Sequence, residues 1–185
     1  MEHINEDPLI FKAQRATAFL RGAVEQIEGP ECCIQLLTAQ YELRLDEFPC
    51  ERSILLPRPP LQTVDSITYL DSSGVEQTFG TMQGSPEEAL EYGVDVSEAP
   101  ALGQIYLRSG YSWPSARCEK NAVKIRFTCG FGDVGDIPAT LQNWMFIHAA
   151  SLYRNRESEV IGSSVNSLKY VDRLLDRYRI RRMAR

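Results

Sequence analysis

No stretch of this 185-residue chain approaches the ~20 consecutive apolar residues that a membrane-spanning helix needs. Nor does it open like a secretory leader: "MEHINEDPLIFK" is acidic and polar, so the chain is expected to stay in the cytosol where it is made. Histidine is scarce. His3 and His148 have no second ligand at helical or hairpin spacing, so no metal site is expected. The five cysteines include no CxxC pair: Cys32 and Cys33 are adjacent, and Cys50, Cys118 and Cys129 are scattered. An odd count at irregular spacing reads as reduced, mostly buried thiols rather than a disulfide framework. Internal repeats and low-complexity linkers are missing too. Ser151 lies near His148 without an acidic partner at readable spacing, and no nucleophile, base and orienter converge elsewhere. No catalytic residue and no cofactor are therefore expected.

What remains is the composition of an ordinary globular protein, 43% hydrophobic and 24% charged. A chain of this length supports one domain, or one domain with an inserted lobe, and buries roughly 70% of its unfolded surface. The net charge of -5 hides an asymmetry. From Leu168 to Arg185 seven basic residues (Lys169, Arg173, Arg177, Arg179, Arg181, Arg182, Arg185) face two aspartates, Asp172 and Asp176, a balance of +5 that leaves -10 on the rest. Such a tail suits docking on something negative: nucleic acid, an acidic partner or a neighbouring copy.

Asp7-Pro8 is a helix-start signal, followed by Leu9, Ala13, Ala16, Leu20, Ala23, Val24 and Ile27 at helical spacing until Gly29-Pro30 stops the run. From Ile34 the rhythm becomes that of strands. "YELRL" alternates apolar and charged residues, and "TVDSITYLDSSGVEQTF" reads as a hairpin around "DSSG". More strands are expected at Tyr92 to Val96, Gln104 to Leu107 and Val123 to Thr128. Pro57-x-x-Pro60 reads as the break between one strand and the next. Short strands with no helix between them mean antiparallel sheet. The helical period then returns: Asp136 is placed to cap, Pro138 sits in the first turn, and "ATLQNWMFIHAASLYRNRE" follows. Leu141, Trp144, Met145, His148 and Leu152 form one apolar face, and Phe146, Ala149 and Tyr153 form most of another. A helix apolar on two sides has two neighbours, one of which is expected to be another subunit, with Trp144 and Tyr153 at the contact. A last helix is expected from about Leu168.

"GFGDVG" at 130 to 135 has the glycine spacing of a dinucleotide-binding turn. Its context excludes that reading. The strand before it alternates apolar and polar residues and so has one wet face, Asp133 and Asp136 would repel phosphate, and Pro138 removes an N–H donor from the helix start. Gly130, Gly132 and Gly135 read instead as turn glycines that hand a sheet over to a helix, a hinge between two lobes.

Taken in order, "YELRLDEFP", "ILLPRPPLQTVDSITYLDSSGVEQTF", "GQIYLRSGYSWP", "NAVKIRFTCGFGD" and "DIPATLQNWMFIHAASLYRNRE" resemble the head-tail connector proteins of tailed bacteriophages, also called adaptor or head-completion proteins. The resemblance covers the chain from about Tyr41 onward. It implies an α+β fold: a small α-helical bundle (about 5-30 and 136-185, a long N-terminal helix plus two C-terminal ones) with an inserted antiparallel β lobe at about 34-130. It also implies a virion protein at the portal vertex, assembled in the host cytoplasm as a homo-oligomeric ring of about 12 copies. Implied partners are the portal protein above and a downstream stopper or tail-completion protein below, with packaged DNA passing through the lumen unread and no membrane contact. The arginine tail (Arg173, Arg177, Arg179, Arg181, Arg182, Arg185) is then expected to dock on the portal or an adjacent subunit. The alternative is a DNA-contacting accessory protein that lays the same arginines on phosphates.

Overall fold

The computed structural model describes residues 8–80, 91–96, 101–154 and 173–180. Helices and antiparallel sheets are segregated, as an α+β fold requires. Two compact units form: a helical unit from Met1–Cys32 and Ile137–Arg185, and a β unit, Cys33–Asp136.

In the helical unit, α1 (Pro8–Gln26) begins on the proline whose missing N–H costs nothing in a first turn. It passes into a π-helical turn, Ile27–Glu31, inside which Gly29 leaves helical space (φ -105, ψ -110). Ala23 and Ile27 are fully buried. α2 (Ala139–Arg154) packs on α1 and starts just after Pro138, whose carbonyl accepts from Leu141 N (2.9 Å) and Gln142 N (3.2 Å). Gln142 Nε2 reaches back to Ile137 O at 2.9 Å, tying down the helix start. Asp136 does not cap this helix: its Oδ2 accepts from Asp133 N at 2.9 Å, closing the preceding loop instead. Among the described residues no helix is long and apolar enough to cross a membrane.

The expected third helix differs. Residues 168–172 lie outside the described residues, and 173–178 form successive turns, closed by Tyr178 N to Leu175 O (2.8 Å) and Arg179 N to Leu175 O (3.1 Å). Leu175 and Tyr178 are buried. Two apolar anchors four residues or less apart hold a turn without requiring a longer helix.

The β unit contains β1 (Ala39–Leu45), β2 (Ser53–Leu55), β3 (Leu61–Leu70), β4 (Glu76–Thr78), β5 (Tyr92–Asp95), β6 (Gln104–Leu107) and β7 (Val123–Cys129). They pair antiparallel into a four-stranded sheet, β1-β7-β3-β4, and a three-stranded sheet, β2-β6-β5. The inner faces share one core, in which Val64, Ile67, Tyr92, Ile105, Ile125 and Phe127 are nearly or wholly buried. Phe48 stacks on Trp113 (5.2 Å between centroids) and Phe79 on Tyr92 (5.8 Å). The aromatic turn around Trp113 thus closes one side of that core. β7 buries Val123, Ile125 and Phe127 and turns Lys124, Arg126 and Thr128 outward, the single wet face that its alternation indicated. Burial raises the Tyr92 phenol, with the nearby Glu91 charge adding to the effect. The cysteines are less buried than expected: Cys32 and Cys129 are, Cys33 is half-buried, and Cys50 and Cys118 are exposed.

β3 carries two register irregularities against β7, after Leu61 and after Val64. Each slots an extra residue into β3, and bulged residues of this kind re-aim their side chains. Gln62 consequently reaches Gly130 O (2.7 Å) and Thr38 Oγ1 (3.0 Å). Asp65 gathers donors from Gln40 Nε2 (2.7 Å) and Thr128 Oγ1 (3.1 Å).

The incoming and outgoing segments of the β unit run side by side. Phe131 N donates to Leu36 O and Thr38 N to Gly132 O, each at 3.0 Å, while Gly130 N donates to Pro60 O at 2.9 Å. Gly130 (φ +122) and Gly132 (φ +128) occupy backbone space that L side chains rarely adopt. A Cβ on Gly130 would collide with the Leu37 backbone, and one on Gly132 with the Asp136 carboxylate. Gly135 is different: its φ is not positive, and a Cβ there meets nothing. Of the three expected hinge glycines, two are required by geometry.

Gly130→Ala is expected to cost more than about 2 kcal/mol in urea unfolding, and Gly135→Ala to stay within about 0.5 kcal/mol of the parent. Acid tests the β3–β4 turn. Asp71 accepts from Val75 N (3.0 Å), Gln77 Nε2 (3.1 Å) and Ser73 N (2.8 Å), the Val75 bond contributing most to holding its carboxyl below the ordinary 3.8. A depressed folded value stabilises the turn above pH 3.8 and is lost as pH falls through it. Amide exchange at Ser73 and Val75 should therefore accelerate only below that point.

Candidate functional site, an apolar groove on the helical unit

The 3.6-residue period of α2 places Leu141, Trp144, Met145 and Ala149 inward, and all four are buried. The same period turns Phe146 and Tyr153 outward, 60% and 41% exposed. Between these two rings and the facing side of α1 lies a groove of about 470 Å³. Ala16, Phe19 and Leu20 of α1 form one wall; Phe146, Ala149, Ala150 and Tyr153 of α2 form the other. Phe19 and Tyr153 meet edge to face at 6.3 Å and 86°, fixing one end of the groove. The alanines at 16, 149 and 150 supply its depth, because small residues facing one another leave the space that large ones would fill. Its lining offers hydrocarbon and ring edges almost exclusively, which suits another protein's apolar side chains and nothing charged.

The expected contact pair divides here. Tyr153 is on the groove wall, but Trp144 is only 2% exposed and stacks on His148 at 4.6 Å and 9°, leaving its ring no surface to offer a neighbour. The reason lies in the half-turn between positions: 144 and 145 point to the interior and 146 away from it. Phe146 is the exposed aromatic that the periodicity already placed on the second face.

Of the arginine tail, Arg173 and Arg177 are exposed, and Arg179 pairs with Asp176 at 2.9 Å; Arg181, Arg182 and Arg185 lie outside the described residues. Leu175 and Tyr178 anchor the segment that carries them. Gly130, Gly132 and Gly135 belong to the β unit.

The outer face of the four-stranded sheet is the other extended surface, and its charges pair with one another. Arg44 and Arg126 both bind Glu42 (2.7 and 3.0 Å), and Lys124 approaches Glu76 at 3.4 Å. The Arg44 hydrogen bond, followed by that from Arg126, holds the Glu42 carboxyl below the usual range. Such exposed pairs add little stability, but they neutralise the face.

No family model and no curated protein matches this chain. Its fold does recur among solved structures. A chain from the neck of an empty gene transfer agent (GTA) particle, computed with C6 symmetry, superposes with a TM-score of 0.69 at 23% identity, over 92% of this chain and 80% of that one. A chain from the virion of a native GTA particle gives 0.68 at 24% identity, over 92% and 79%. A third, from the neck of a native GTA particle computed with C12 symmetry, gives 0.69 at 23% identity, over 95% and 89%. At these identities the likeness is one of fold.

If Trp144 is a core residue and Phe146 a surface one, their truncations must differ. Trp144→Ala is expected to lose about 3 to 5 kcal/mol in denaturant titration, and Phe146→Ser no more than about 0.5 kcal/mol.

Proposed function

We propose that this chain is a structural component of the neck of a phage-like particle, forming a ring beneath the portal that joins the DNA-filled head to the tail and extends the DNA channel. The observation that carries the reading is the fold shared over 92% to 95% of the chain with chains of GTA necks and virions. Cyclic symmetry in two of those particles supports a ring of about 12 copies. The neutralised outer sheet face suits a surface that DNA slides past, since it keeps few cations for phosphate. The arginine tail supplies the contact to the portal or an adjacent subunit, and the opposite side of the ring receives a stopper or tail-completion protein. The chain has no enzymatic role in this reading, and no membrane contact. The hinge role of Gly130 and Gly132 belongs to the same proposal: a β-branched residue at Gly132 is expected to disturb ring closure.

The exposed Arg173 and Arg177 favour a second reading, a DNA-contacting accessory protein. Three measurements separate them. Deleting the chain from the producing strain should leave DNA-filled heads without attached tails, and removing residues 177–185 should weaken co-sedimentation with portal rings. Normal tailed particles would overturn the neck reading. Filter binding across a salt series should show little affinity for free duplex; tight, steeply salt-dependent binding would establish the accessory role instead.

A further inference from the structure

We propose that the groove between α1 and α2 seats a second copy of this chain, presented through its acidic β unit, so that successive copies join head to tail. This assignment rests on the neck reading and names the partner of one of its surfaces.

The groove's walls decide the chemistry of the occupant. Phe19, Leu20, Phe146 and Ala149 offer no hydrogen-bond donor to a phosphate and no carboxylate to a guanidinium, so the groove suits apolar side chains. Charge decides which part of a second copy comes. The helical unit has 12 basic and 10 acidic residues, a balance of +2; the β unit has 8 basic and 15 acidic, a balance of -7. Apposing the helical unit of one copy to the β unit of the next brings unlike charges together. Groove against groove, or β unit against β unit, apposes like ones.

The apolar surface is divided in the same way. Nine large apolar side chains are exposed among the described residues. The two on the helical unit, Phe146 and Tyr153, both line the groove. The other seven, Leu55, Tyr106 and Val134 among them, are all on the β unit. Two unlike surfaces per copy make a heterologous contact, the kind that closes into a ring when the rotation allows.

The test places a photo-crosslinking benzoylphenylalanine at position 146, an exposed aromatic site, in the full-length chain, and irradiates purified particles and the purified chain separately. A crosslinked dimer whose captured peptide lies within residues 33–136 is the expected result in particles. Capture of residues 1–32 or 137–185, of a different virion protein, or no crosslink in particles that contain the chain would overturn the docking assignment while leaving the neck reading intact. A chain absent from particles overturns the neck reading instead; the purified chain then decides the docking, a dimer through 33–136 supporting it and its absence ending it. As a second variant, Phe146→Asp should reduce incorporation into particles at least tenfold with an unchanged melting curve, and normal incorporation would count against the seat.

Discussion

The β unit depends on a clamp between its two ends. Backbone hydrogen bonds from Phe131 to Leu36 and from Thr38 to Gly132 lay the incoming and outgoing segments side by side, and Gln62 ties both through Gly130 O and Thr38 Oγ1. Each bond contributes only about 0.5 to 1.5 kcal/mol net, but a bond that closes the ends of a hundred-residue insertion also spares the rest from searching for its register. The close approach exists because Gly130 has no side chain: its hydrogen occupies the place where a Cβ would meet the Leu37 backbone. From this clamp β1 and β7 leave already in register, Ala39 opposite Cys129, and β3 adds on the other side of β7.

Polarity on the sheet follows from the same register. With Leu43 opposite Ile125 and Ile67 opposite Ile125 on the far side, the alternate positions Glu42, Arg126 and Ser66 line up facing outward. The bulges in β3 then bring Asp65 to Gln40 and Thr128, so that the outer face is tied together by side-chain bonds across three strands. That face is fixed and electrically quiet. The helical unit is the reverse: its inner positions are well filled, while the alanines at 16, 149 and 150 leave an apolar groove beside Phe146 and Tyr153.

Much of this was legible in the residues. Asp7-Pro8 and Gly29-Pro30 bracket α1, the period-two alternation of "YELRL" and "VKIRFT" marks β1 and β7, and "DSSG" marks the β3–β4 turn, because each signal is local: a capping position, a pleat, a positive φ at Gly74. The partition into two sheets was not legible. β2, β5 and β6 are three or four residues long, and β2 joins the β5–β6 pair from about 50 positions upstream of β6, so nothing local distinguishes them from strands of the larger sheet. The three glycines of "GFGDVG" look alike in sequence, and only the close passage of Leu37 separates Gly130 from Gly135. Trp144, expected at a contact, is buried while Phe146 is exposed, because periodicity shows that α2 has two apolar faces but not which of them the chain itself covers.

Charge and apolar surface are thus both partitioned between the units, an acidic β unit studded with exposed apolar side chains and a slightly basic helical unit with a groove. Complementary surfaces on the two units are what the proposed head-to-tail assembly requires. The most direct test of a neck ring built from this chain is a localised cryo-EM reconstruction of the head-tail junction in particles that carry it. The expected result is a closed ring of this fold between portal and tail, with DNA density on its axis. A junction in which this fold is absent, with the chain found elsewhere in the particle, would contradict it.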